Sequence, residues 1–105
     1  MKENPSYYAI IPASIRYNPN LSMSSKMLYG EITALCNKEG FCWASNEYFA
    51  KLYGVHKNTV SKWINDLIKE GFLTSEVSNN YERKIYLSEI IEPPKRKAET
   101  PSTKS

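Results

Sequence analysis

Apolar positions along the chain change their period several times, and each change marks an element. From Met23 to Lys38 the residues Met27, Leu28, Ile32 and Leu35 recur at helical spacing, with Tyr29 and Ala34 on the flanks. The turn-rich stretch NPNLS (18–22) comes before them, so Ser22 or Ser24 can cap this helix. Gly30 inside it signals close approach by a helix, and Gly40 is expected to end it. FCW (41–43) reads as a short strand. Ser45 then caps a second helix, SNEYFAKLYG, with Glu47 in the first turn, where the helix dipole favours an acid. Phe49, Leu52 and Tyr53 form its apolar stripe, and Gly54 stops it. A third helix is expected over Lys57–Glu70. Val60, Ile64 and Leu67 fall together at about 100° per residue, with Trp63 and Ile68 beside them and Gly71 as the stop. FLTSEV (72–77) and RKIYLSEI (83–90) are strand-like runs around SNNYE, where Asn79 and Asn80 accept left-handed backbone angles.

This order predicts a mainly α fold with a small antiparallel β-sheet, a winged helix-turn-helix with a three-helix core and a β-hairpin wing. The expected domain runs over residues 7–91, between a disordered start at 1–6 and a disordered basic linker or tail at 92–105. EPPKRKAETPSTKS has nothing to bury. YYAIIPASIRYN (7–18) is apolar and β-branched but broken by Pro12. It is either an extended arm lying on the core or a surface that pairs with a second subunit, and both readings stay open.

A length of 105 residues fits one domain, and 8 Tyr, 2 Trp and 3 Phe give a small core large side chains to bury. The net charge of +3 points to nucleic acid until it is divided along the chain. From Pro93 onward Lys95, Arg96, Lys97 and Lys104 face only Glu99, so residues 1–92 are neutral, with ten basic and ten acidic groups. Any case for DNA binding rests on where charges cluster, not on their sum.

The face of the third helix opposite its core stripe carries Asn58, Lys62, Asn65 and Lys69, with Thr59 and Ser61 near its start. No acid occurs from Lys57 to Asn65; Asp66 and Glu70 belong to the distal half. In a helix-turn-helix the N-terminal part of the second helix enters the major groove. Amides and hydroxyls there read base edges and lysines reach guanine or phosphate. The plain alternative is a solvated helix face, the default opposite any core stripe. Asn79, Asn80, Tyr81, Arg83 and Lys84 sit at or beside the wing tip, placed to meet phosphates or the minor groove; for the two asparagines the turn alone is an equal explanation. Ser45 and Asn46 can present polar groups to a phosphate, and for Ser45 capping is an equal role. His56 stands where a helix start prefers Ser or Thr. It is either a phosphate neighbour or an imperfect cap.

Enzyme chemistry is not expected. Cys36 and Cys42, six apart, match no zinc pattern, and the single histidine completes none. They read as half-buried small hydrophobes in a reducing cytosol, with a disulfide between them as the lesser alternative. No nucleophile–base pattern or glycine-rich phosphate loop appears, so no cofactor or metal is expected. Trp43, Trp63, Tyr48 and Tyr53 fall on or near buried stripes. The first apolar run is short and follows Glu3, which does not make a signal peptide, and no stretch approaches a membrane span. The expected location is cytoplasmic, with no membrane partner.

Residues 21–73, from LSMSSKMLYG through FCWASNE to GVHKNTVSKWINDLIKEGFL, resemble the winged-helix N-terminal domains of replication initiators from Gram-positive plasmids and phages. These include RepA_N-type plasmid initiators and DnaD-like replisome organisers, and the resemblance spans roughly 7–90. It implies binding of double-stranded DNA at repeats in a replication origin, often as a homodimer. It also implies a linker to a C-terminal region, not in this chain, that engages the replication machinery. The chain ends at the linker, as an N-terminal piece of a longer initiator or a short stand-alone protein would. Two other functions fit: a small transcriptional regulator of a mobile element, and a winged helix used only for protein contacts. The neutral charge of residues 1–92 favours the latter.

Overall fold

The computed structural model describes residues 8–36, 40–77 and 82–88. They form α1 (Ala13–Arg16), α2 (Met23–Leu35), β1 (Phe41–Cys42), α3 (Asn46–Tyr53), α4 (Lys57–Lys69), β2 (Leu73–Val77) and β3 (Arg83–Leu87). The strands make one antiparallel sheet in the order β1-β3-β2. Ile85 lies at its centre, opposite Cys42 on one side and Ser75 on the other. This is the expected winged helix: a helical core with a β2–β3 wing.

Ser22 rather than Ser24 caps α2, its Oγ accepting from the Ser25 N–H at 3.1 Å. Leu28, Ile32 and Leu35 are buried as the periodicity predicts, and Tyr29 joins them, but Met27 is 55% exposed on the helix flank. Gly40 does not end α2. The chain already takes extended angles at Cys36, φ −67° and ψ 138°, on its way to β1. Pairing of β1 with β3 outweighs the local glycine signal, and Gly40, at φ +89°, sits instead at the entry to the strand.

The arm is not extended throughout. Residues 8–12 cross α2, and the Ile10 N–H donates to Thr33 Oγ1 at 2.9 Å. Pro12 then opens α1, whose single turn buries Ile15 completely. Pro12 is the N-cap, at φ −61° and ψ 156°, and its carbonyl accepts from the Ile15 and Arg16 N–H groups at 3.0 and 2.8 Å. Gly30 serves this crossing and not a helix contact. A methyl group there would lie 2.9 Å from Ile11 Cγ1 and 3.2 Å from Ala9 Cβ.

One core joins all layers, with Ile15, Tyr29, Phe49, Val60, Leu67 and Ile85 completely or almost completely buried. Cys42 is buried and Cys36 half-buried. Leu52, expected in the stripe of α3, is 48% exposed; eight residues make about two turns, and Phe49 alone is fully buried there. Tyr53 is half-buried and donates to Glu31 Oε1 at 3.1 Å, tying α3 to α2. Burial, and then the Glu31 carboxylate, push the Tyr53 hydroxyl above its ordinary pKa. Trp43 is not near-core: it lies on the outer side of β1, edge-on to Phe41 at 5.2 Å. Among the described residues no helix is long and apolar enough to cross a membrane.

Candidate nucleic-acid interface

The helix-turn-helix is built by three local devices. Ser45 caps α3, its Oγ accepting from the Tyr48 N–H at 3.0 Å. Gly54 closes α3 in the left-handed region at φ +70°, which lets the Val55 N–H reach back to the Ala50 carbonyl at 3.0 Å. His56 then caps α4, its Nδ1 accepting from the Asn58 N–H at 3.0 Å. The imperfect cap expected from the residue type is thus a working one. The imidazole nitrogen takes the place of a hydroxyl oxygen, and an accepting Nδ1 puts the ring hydrogen on Nε2.

α4 divides as its periodicity predicts. Val60, Ile64 and Leu67 are buried, and Trp63 packs edge-on to Tyr53 at 6.5 Å. Asn58, Lys62, Asn65 and Lys69 are exposed on the other side, with Lys57 and His56 exposed at the start and Thr59 and Ser61 half-buried. At the far end Asn18 and Asn20 both donate to Glu70 Oε1 at 3.4 Å, which holds that acid against the turn before α2.

The acid-free stretch of sequence is not acid-free in space. Lys57 Nζ lies 3.7 Å from Glu47 Oε2 at the start of α3, and Lys62 Nζ lies 3.1 Å from Asp66 Oδ2 one turn on. Both pairs are at the surface, where such pairs are weak and screened by salt. A phosphate can therefore replace the carboxylate partner at little cost.

The wing departs most from expectation. Asn79, Asn80 and Tyr81 lie outside the described residues. Arg83 is not presented on the wing surface: its Nη1 donates to Asn46 Oδ1 at 2.9 Å and its Nη2 to the Ala44 carbonyl at 2.8 Å. Its Nε is buried without a hydrogen-bond partner. Burial lowers its pKa from the ordinary value, and the nearby Cys42 sulfur works against that shift. Asn46, expected to face a phosphate, is half-buried and receives this bond. Lys84 is half-buried, its ammonium 4.8 Å from the Phe41 ring centroid and 5.3 Å from that of Trp43. The two cations leave β3 on opposite faces: Arg83 finds acceptors at the start of α3, and Lys84 finds the rings of Phe41 and Trp43 on the outer side, partners that the linear sequence does not show.

Two contacts join the expected regions. Lys57 meets Glu47 and Arg83 meets Asn46, so the first turn of α4, the first turn of α3 and the base of the wing are contiguous. Glu47 is the residue that sequence reasoning missed here. It read as a dipole partner of α3, and the only available signal was the helix-turn-helix geometry itself, which brings both first turns together.

Residues 20–73 match a family described as a helix-turn-helix domain, a little over half of the 105-residue chain. The chain belongs to that family. The match runs from the turn before α2 to Leu73, where β2 begins, so most of the wing lies beyond it. No curated protein and no solved structure matches the chain significantly. Family and fold together support DNA binding.

Proposed function

We propose that this chain is a cytoplasmic, sequence-specific binder of double-stranded DNA. In this reading it is the origin-binding domain of a plasmid or phage replication initiator, acting on repeats as a homodimer. A further C-terminal region would contact the replication machinery. One observation carries the DNA reading: α4 buries Val60, Ile64 and Leu67 and leaves Asn58, Lys62 and Asn65 exposed directly after a glycine-closed turn. That placement is the one a recognition helix needs, with amides set to read adenine and lysines to reach guanine or phosphate. The origin assignment is supported by the resemblance of residues 21–73 to initiator domains. A regulator of transcription would use the same face, and the position of its sites, inside an origin or at promoters, separates the two.

A protein-contact module is the second reading, favoured by the carboxylates beside Lys57 and Lys62. Titration of the full chain with duplex DNA at two salt concentrations decides between them. Duplex binding weakens steeply with salt; affinity that does not change with salt rules out both DNA readings. Footprinting on DNA from the same replicon then tests the origin.

A further inference from the structure

We propose that Arg83 is a positioning residue for DNA binding and not a phosphate contact: it clasps the base of the wing to the first turn of α3 and sets the direction of the Asn46 amide. The proposal rests on the duplex-binding reading above and assigns a part of that site. Its geometry is a fork. One guanidinium bonds Asn46 Oδ1 at 2.9 Å and the Ala44 carbonyl at 2.8 Å, across sequence separations of 37 and 39 residues. The guanidinium is planar and rigid, so two bonds from its two terminal nitrogens fix both acceptors relative to β3. A lysine, with one ammonium on a flexible stem, cannot impose the same constraint.

The clasp has two consequences for the interface. The first concerns Asn46. Its Oδ1 is held by Arg83, so its Nδ2 hydrogens, both donors, are turned to the other side of the amide. Asn46 follows the cap Ser45 and precedes Glu47, the residue that meets Lys57 of α4. In this proposal these donors lie beside the recognition helix, where a bound duplex would meet them. The second consequence concerns the wing. β1 supports β3 only at Ile85 and Tyr86, and Arg83, the first residue of β3, lies beyond that pairing at the wing end of the β2–β3 pair, opposite Val77. Fixing it to α3 sets the angle between wing and α4.

A phosphate contact would need different surroundings. It calls for a guanidinium free at the surface, whereas this one is half-buried, with Nε enclosed and each of Nη1 and Nη2 already giving one hydrogen bond to protein. The same desolvation lowers the Arg83 pKa, in keeping with an enclosed group.

The test compares the full wild-type chain with Arg83→Lys, Arg83→Ala, Asn46→Ala and the Arg83→Lys/Asn46→Ala double variant. The probes are a duplex selected by the wild-type chain from a random-sequence pool and an unselected duplex, each titrated over a salt series. Arg83→Lys and Arg83→Ala should both lose about tenfold in affinity for the selected duplex. Affinity for the unselected duplex and the salt slope should stay as in wild type, and the double variant should lose no more than Arg83→Lys. If Arg83→Lys binds like wild type while Arg83→Ala flattens the salt slope by about one, Arg83 is a phosphate contact and the clasp is overturned. Amide hydrogen exchange judges the clasp without DNA. In Arg83→Lys, exchange should quicken together at the wing end of β2–β3 and in the first turn of α3, with α2 unchanged. Unchanged exchange at both places overturns the proposal. If the wild-type chain selects no duplex, the DNA reading fails and the exchange result alone decides the clasp.

Discussion

The outer face of α4 and the base of the wing carry the same kinds of side chain, yet the molecule holds them in opposite ways. On α4, Asn58, Lys62, Asn65 and Lys69 stand exposed, and Lys62 pairs with Asp66 at the surface. At the wing base, Arg83 is clasped to Asn46 and Ala44, and Lys84 lies over the rings of Phe41 and Trp43. The contrast has a physical origin. A helix turns through a fixed angle per residue, so burying Val60, Ile64 and Leu67 forces the intervening polar residues outward. A strand only alternates its faces, and whether a cation at its end meets solvent or protein depends on what the fold packs beside it. Polar groups on a helix face are free to bind; polar groups at a sheet corner are often structural.

The largest expected effect tests the wing side. Arg83→Ala leaves Asn46 Oδ1 and the Ala44 carbonyl without their donor and should cost about 2 kcal/mol of stability in urea unfolding. A loss below about 0.5 kcal/mol, the range of ordinary surface changes, would erase the contrast. On the helix side Lys62→Ala and Asn65→Ala should each weaken binding to a selected duplex by about tenfold while leaving the melting temperature nearly unchanged. A sharp drop in melting temperature would show that this face packs against protein. His56→Ala should cost about 1 kcal/mol through loss of the α4 cap. His56→Ser should recover it, and equal behaviour of the two variants would remove the cap assignment.

Smaller effects sharpen the same comparison. Lys84→Ala should lower stability by about 0.5 kcal/mol, the size of a partly exposed cation–ring contact. It should change the salt dependence of DNA binding little, because its ammonium is already engaged. Glu47→Gln frees Lys57 and should raise duplex affinity at low salt, with the gain fading as salt is added. A gain that persists at high salt would mean that Glu47 acts on the shape of the site and not through its charge.

Legibility followed the length of the periodic segments. α4 was readable nearly residue by residue, ending at Lys69 with Glu70 as its cap where Glu70 had been expected as its last residue. β1, α3 and the wing strands fell close to where short apolar runs and turn residues put them, but β3 stops at Leu87 although the run RKIYLSEI continues past it. The end of α2 was misread because Gly40 is a strong local signal, while sheet pairing acts over a distance of 45 residues, from Phe41 to Tyr86. Gly30 was rightly marked as a close approach, but the approaching element was the arm, whose own turn at α1 is too short to show a period.

By itself, then, the sequence determined which face of α4 is buried, where the turn before it lies, and that a hairpin follows, since each depends on residues close together in the chain. Only the tertiary structure decided which cations remain available. Arg83 and Lys84 find their partners 37 or more residues away, and the Glu47 carboxylate reaches Lys57 only because the glycine turn folds α3 back on α4. Charge and hydrogen-bond partners are properties of space and not of order along the chain. The ends of polar side chains were therefore the last features that sequence could place.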